Sequence, residues 1–279
     1  MTPKFCCCAV AVMPVRSEPT HRAEQTTQLL FGEKAMVLEM NNKEWARIRC
    51  YWDGYEGWCK ITQLMEVNTV DYKKTTKFVS ATHKGRINLQ GSEMQVPAGA
   101  ELFNLKKSQV STGFETGIFR GKKINTTKAI MDGEALVNFA KQYLNAPYLW
   151  GGRSLAGIDC SGLTQMAFKF CNYKLPRDAR QQAEKGLLVD FLQNGTSGDL
   201  AFFDDAEGRI VHVGLLIDNQ TIIHATDSSG KVVIDRIDQG GIISVSLKKR
   251  THNLRFVKRI IGWDPNKKKA APPVPQFLL

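Results

Sequence analysis

The sequence has no apolar run long enough to cross a bilayer, no CxxC pair, no metal-ligand spacing of cysteine and histidine, and no long block of one charge sign. Each absence excludes something. Phe5 to Met13 is apolar for nine residues behind a single Lys4, too short for a span. As a signal segment it has weak flanks and no clear small-residue cleavage site after it, so it reads as a first strand. No stable membrane association is expected. The cysteines number seven, an odd count, and Cys6, Cys7 and Cys8 are consecutive. Neighbours in a strand point to opposite faces, which does not suggest a secreted disulfide framework. A reduced, cytoplasmic chain is expected as given; a periplasmic or extracellular one is the alternative if a signal segment is present or was removed. The formal charge of +11 is spread: 18 basic against 12 acidic residues to Asn125, and 20 against 15 beyond it. That argues against a dedicated nucleic-acid patch.

A length of 279 residues, 43% hydrophobic and 23% charged, is ordinary for a soluble chain of two or three domains. Residues 35–39, 45–51 and 57–61 read as strands, with Asn41-Asn42 and Asp53-Gly54 as turns between them. Residues 76–126 show the same alternation, though no repeat proves duplication. Helical period returns over 132–144, where Leu136, Phe139, Ala140, Tyr143 and Leu144 share a face behind an Asp132 N-cap. The organisation expected is a β-rich domain over 1–70, a second over 71–125, a mixed domain over 126–264 and a solvated tail over 265–279, where Lys267-Lys268-Lys269 leads into Ala-Ala-Pro-Pro-Val-Pro.

The densest chemistry lies in Tyr148–Leu163. Cys160 follows Asp159, a natural N-cap, and precedes Leu163, Met166, Ala167 and Phe170 at helical spacing. A cysteine in the first turn sits among unpaired N–H groups and the positive end of the dipole, which favour a thiolate. The plainer role is a small core cysteine beside a capping aspartate. Residues 209–226 read as a hairpin. If Asp218, Asn219 and Gln220 form its loop, Ile217 pairs with Thr221, His212 faces Thr226, and His224 is its diagonal neighbour on the same face. One imidazole can then deprotonate a nucleophile while the other holds its tautomer. A lone strand histidine is more often a satisfied core group; two on one face, beside a helix-capped cysteine, shift that balance.

Pro147-Tyr148-Leu149-Trp150-Gly151-Gly152, Asp159-Cys160-Ser161-Gly162, Pro176-Arg177-Asp178, Gly198-Asp199-Leu200-Ala201-Phe202-Phe203, His212-Val213-Gly214 and Ile223-His224-Ala225 follow one another over 79 residues. In that order they resemble the NlpC/P60 family of papain-like cysteine peptidases. The stretch EWARIRCYWDGYEGWCKITQL resembles a bacterial SH3 (SH3b) domain. The fold class implied is α+β: a papain-like catalytic domain preceded by two small all-β SH3b-like barrels. The resemblance implies that Cys160 is the nucleophile, His212 the base, His224 the orienting group and Tyr148 a hydroxyl at the catalytic centre. It further implies cleavage of the bond between γ-D-glutamate and the L-diamino acid in peptidoglycan stem peptides, the expected partner.

In such peptidases the first SH3b domain reads the free amine of an N-terminal L-Ala. Glu24 is expected to supply the charge and Tyr55 the wall, with Glu18 and Asp53 as competitors. Asp159, Ser161 and Trp150 are further substrate-binding candidates, whose plainer roles are capping, helix start and core. Trp58 is read as core. Gly151 and Gly152 are expected to allow a tight turn, and Asp199 to orient local backbone. One departure concerns specificity: relatives often carry serine after Pro-Arg-Asp, and here Ala179 stands there. No metal and no organic cofactor are expected. The alternatives are a thiol acyltransferase or amidase on the same scaffold, or a non-catalytic wall-binding protein.

Overall fold

The computed structural model of the chain describes residues 4–41, 44–111, 115–129 and 131–260. The tail expected over 265–279 lies outside them. Two compact units emerge: Met1–Thr127 with Trp150–Leu155, and Lys128–Leu149 with Ala156–Leu279.

The first unit opens with β1 (Lys4–Cys8), β2 (Val12–Arg16), β3 (Gln25–Leu30), β4 (Lys34–Asn41), β5 (Trp45–Cys50), β6 (Glu56–Lys60) and β7 (Leu64–Glu66), antiparallel in the order β3-β2-β6-β5-β4-β1-β7. The apolar run 5–13 is therefore β1, a turn and the start of β2. The cysteine triplet shows why β1 is a strand with two buried faces. Cys6 and Cys8 enter a core with Met13, Val15, Leu29, Ile48 and Cys59, whereas Cys7 enters another with Phe31, Ile87, Val96 and Phe119. That second core joins β1 to the strands that follow the short helix α1 (Thr69–Lys73). These are β8 (Phe78–Ser80), β9 (Gly85–Leu89), β10 (Ser92–Val96), β11 (Gln109–Ser111), β12 (Thr116–Arg120) and β13 (Lys123–Asn125), paired as β10-β9-β12-β11 and β13-β8. In that core Ile87, Val96, Leu102, Phe103, Val110 and Phe119, all from residues 78–125, pack with Cys7, Phe31, Met65 and Val67.

Residues 150–155, which include β14 (Arg153–Ser154), belong to this unit through a buried ion pair. Arg153 Nη1 and Nη2 donate to Glu33 Oε2 and Oε1 at 2.7 and 3.0 Å, and Nη1 also reaches Gln28 O at 2.7 Å. Gly151 adopts φ +73°, and a Cβ there would stand 2.3 Å from Gln25 O, so no larger residue fits.

The second unit contains α2 (Gly133–Lys141), β15 (Gly157–Ile158), α3 (Cys160–Phe170), α4 (Ala179–Ala183), β16 (Leu187–Val189), β17 (Leu200–Asp204), β18 (Ile210–Leu216), β19 (Thr221–Thr226), β20 (Lys231–Asp238), β21 (Gly241–Ser244) and β22 (Lys249–Arg259). Its strands run antiparallel in the order β16-β22-β17-β18-β19-β20-β21, and a further β21–β22 pairing closes the last six into a ring. Asp132 caps α2, accepting from Glu134 N at 3.3 Å. The helix ends at Lys141, earlier than the expected Leu144, because the N–H groups of Tyr143 and Leu144 bond back only three residues, to Ala140 O and Lys141 O, before the chain turns at Asn145 with φ +64°. The face of α3 read from periodicity is buried, but so is every other residue of the helix, against α2 and the β18–β19 hairpin. Two of its polar side chains find partners inside: Thr164 Oγ1 donates to Gln182 Oε1 at 2.7 Å and Gln165 Nε2 to Leu175 O at 3.1 Å. Asp199, buried ahead of β17, accepts from Thr196 N and pairs with Arg259 at 2.7 Å, which makes it an organiser of local backbone.

Candidate active site

Cys160 is the first residue of α3. Asp159 is its N-cap, accepting from Gly162 N at 2.7 Å. Arg177 grips the same carboxylate in a fork, with Nη1 to Oδ1 at 3.0 Å and Nη2 to Oδ2 at 2.6 Å, and Nη1 also donates to Ser161 Oγ at 2.8 Å. All three residues are buried. Removing one partner of such a pair costs about 3–5 kcal/mol, since the other charge is left unpaired in low dielectric. Asp159 and Ser161, expected to meet substrate, are thus engaged in fixing the start of the helix that carries Cys160. Arg177, quoted within a motif but given no role from sequence, is the group that engages them. Beyond it Ala179 opens α4, whose Arg180 donates to Ile210 O at 3.3 Å.

The hairpin takes the three-residue loop. Leu215 pairs with Ile223, Leu216 with Ile222, and Ile217 N reaches Thr221 O at 2.9 Å. Both histidines therefore share a face, with His212 Nε2 2.9 Å from His224 Nδ1. Gly214 leaves room for His224, for a Cβ there would meet His224 Cβ at 3.1 Å and Ile222 Cδ1 at 2.6 Å. Beyond the pair lies a carboxylate that sequence reading missed. Asp235 Oδ2 is 3.2 Å from His224 Nε2, and its Oδ1 accepts from Val245 N at 2.8 Å. In the β19–β20 register His224 opposes Val233, so Asp235, two residues on, shares its face. The sequence signal was a carboxylate inside a β-branched strand, usable only with that register known.

The sulfur of Cys160 takes hydrogen bonds from the backbone of Val213, the residue after His212, and of Ser161. Burial, then the charge of Asp159, push the thiol up to about 12 against these bonds and Arg177. The helix start alone was expected to favour a thiolate; burial outweighs the dipole, and the resting group is a thiol. Burial, then His252 and His224, push His212 well below the ordinary histidine value, leaving a neutral imidazole. Burial pushes the carboxyl of Asp235 up, but the hydrogen bonds from His224 and Val245 hold it below the ordinary carboxylate range. The half-buried Tyr148 is raised by burial and by the neighbouring Cys160 and Asp159, so its phenol keeps its proton, and its backbone is tied to Gly230 O at 2.8 Å.

His252, also unremarked in the sequence, stacks on His212 with ring centroids 4.1 Å apart and planes 23° from parallel. His212, His224 and His252 offer nitrogens within 4.8 Å of one another, the one such group among the described residues. A metal needs lone pairs that converge in the ring planes. Nearly parallel stacked rings direct theirs side by side, and the facing nitrogens of His212 and His224 already bond each other.

The remaining candidates lie in the first unit. Trp150 is exposed, and its Nε1 donates to Glu24 Oε1 at 2.6 Å, while Gln25 Nε2 donates to Trp150 O at 3.1 Å. Tyr55 packs on the core around Met13 and Val15, and its backbone N–H donates to Asp53 Oδ1 at 3.0 Å. Trp58 is half-buried opposite Arg47.

Residues 145–251 match the NlpC/P60 family, and residues 15–64 match the bacterial dipeptidyl-peptidase SH3 domain. The chain carries an NlpC/P60 peptidase domain behind a bacterial dipeptidyl-peptidase SH3 domain. Over 231 residues the peptidase is 29% identical to the γ-D-glutamyl-L-lysine dipeptidyl-peptidase of Bacillus subtilis, covering 75% of this chain and 74% of the relative. It is 26% identical over 250 residues to dipeptidyl-peptidase 6 of Lysinibacillus sphaericus, covering 80% and 88%. A crystal structure of an NlpC/P60 family protein from Bacillus cereus superposes with a TM-score of 0.75 at 20% identity, over 92% of the peptidase and 99% of that chain, which establishes the shared fold.

Proposed function

We propose that this peptidase hydrolyses the γ-D-glutamyl-L-diamino acid bond of peptidoglycan stem peptides, in fragments that begin with a free L-Ala, during wall turnover or recycling. The observation that carries this reading is the buried His212–His224 pair, bonded at 2.9 Å on the hairpin beside the Cys160 helix start. The name of the Bacillus subtilis relative, γ-D-glutamyl-L-lysine dipeptidyl-peptidase, supports the choice of bond. In the reaction, His212 takes the proton of Cys160 as the sulfur attacks the γ-glutamyl carbonyl. Charge then develops on sulfur, imidazole and oxyanion together. The backbone N–H of Cys160 and the protonated phenol of Tyr148 are the donors suited to the oxyanion. His212 passes its proton to the leaving amine, and water hydrolyses the thioester.

The exposed carboxylate of Glu24, oriented by the indole N–H of Trp150, supports recognition of an ammonium in the first unit. Seven free, buried cysteines support residence in a reducing compartment, which we propose is the cytoplasm. Mass spectrometry of L-Ala-γ-D-Glu-diamino-acid peptides, free and N-acylated, tests the reading. Cleavage of the γ-linked bond in the free form, lost in Cys160→Ala, is expected. Equal cleavage of the acylated form would remove the ammonium requirement. No cleavage of either would remove the bond assignment.

A further inference from the structure

Two imidazoles in line can carry their protons in two ways, and only one leaves the base able to act. The 2.9 Å bond between His212 Nε2 and His224 Nδ1 needs one proton between them. If that proton sits on His212, its Nδ1 bears the lone pair that can receive a proton. If it sits on His224, His212 carries its proton on Nδ1 and cannot. Nothing within the pair decides between these states.

We propose that Asp235 is the positioning residue that decides it. The inference rests on the reading of His212 as the base and deepens that site. The carboxylate is buried, and both its oxygens are committed. Oδ1 accepts the backbone N–H of Val245 at 2.8 Å and Oδ2 faces His224 Nε2 at 3.2 Å. An ionised carboxylate has no proton to give, so His224 must donate from Nε2. Its Nδ1 is then an acceptor, His212 must donate from Nε2, and the lone pair falls on His212 Nδ1. As His212 gains a proton from the thiol, the buried negative charge two rings away also favours the imidazolium.

Val245 makes the proposal specific. Its N–H is part of the backbone and always donates. In Asp235→Asn the amide oxygen is drawn to that N–H, and the amide NH2 then faces His224 Nε2. A donor there forces His224 into the opposite tautomer and blocks His212. Asp235→Ala removes the instruction without reversing it. The isosteric variant should therefore be the more damaged: kcat falls about 100-fold or more in Asp235→Asn and about 10-fold in Asp235→Ala, with KM little changed. Asp235→Glu, which keeps an acceptor, should recover part of the rate. A merely structural role gives the reverse order, with asparagine mild and alanine severe, and that order would overturn the proposal.

Nitrogen-15 NMR of histidine-labelled, full-length wild-type protein needs no variant and no turnover. The expected pattern is protonated Nε2 and unprotonated Nδ1 on both His212 and His224. Protonated Nδ1 on either ring would overturn the assignment even if the peptidase is active. The expected pattern in a chain that cleaves nothing would leave Asp235 as the tautomer lock and count only against the proposed reaction.

Discussion

Cys6 and Cys160 stand in different units, and burial pushes the thiol of each to about 12. What surrounds them differs. Cys6 lies among Met13, Val15 and Ile48 and donates to Ala35 O at 3.3 Å, a core residue with its proton spoken for. Cys160 lies at a helix start among backbone donors, a forked Asp159–Arg177 pair and, beside Val213, a neutral histidine. Depth does not separate the proposed nucleophile from a packing residue, and neither does a resting thiolate. The difference we propose is a base and a set of donors arranged for charge that exists only during reaction.

The contrast breaks most sharply by mutation. Cys160→Ala should reduce peptide hydrolysis to background with the melting temperature little changed, while Cys6→Ala keeps turnover. The paired assay and thermal melt would contradict the contrast if the two variants lost activity alike. Next in size, Arg177→Met removes the guanidinium that forks onto the buried Asp159. It should lower stability by about 3–5 kcal/mol in chemical denaturation and reduce kcat through the displaced start of α3. Glu33→Leu, which removes the carboxylate from the buried Arg153 in the first unit, should cost a similar stability while kcat in the folded fraction changes far less.

These arrangements were unequally legible beforehand. The hairpin could be read because Asp218, Asn219 and Gln220 set its register, and register alone puts His212 and His224 on one face. The capped helix was readable from Asp159 and the apolar spacing after it. Asp235 and His252 were not, since each reaches the pair through strand pairings that no local pattern states. The expectation of a thiolate failed for a related reason: a helix dipole is visible in one dimension, whereas the burial that outweighs it is not. The two β-rich stretches were legible as strands, but the core that Cys7, Phe31 and Ile87 share between them was not.

Smaller effects follow from pH. The ordinary histidine value is 6.5; His252 is held at about 4 and His212 well below 6.5, burial being the first cause for both. The unfolded chain thus binds more protons than the native one below about pH 6.5, and stability falls as pH drops from there toward 4. Melting temperature against pH should show that slope, and His252→Phe should flatten it; an unchanged slope would contradict the burial assigned to this ring. Smallest of all, Cys6→Ala should cost about 1 kcal/mol, the ordinary loss for a modest core truncation.

The most direct test of the account is intact-protein mass spectrometry of the peptidase acid-quenched during turnover of L-Ala-γ-D-Glu-diamino acid. The expected result is an added mass of one L-Ala-γ-D-glutamyl acyl group, mapped to Cys160 and absent in Cys160→Ala. Turnover that persists in Cys160→Ala, or an acyl group mapped to any other residue, would contradict it.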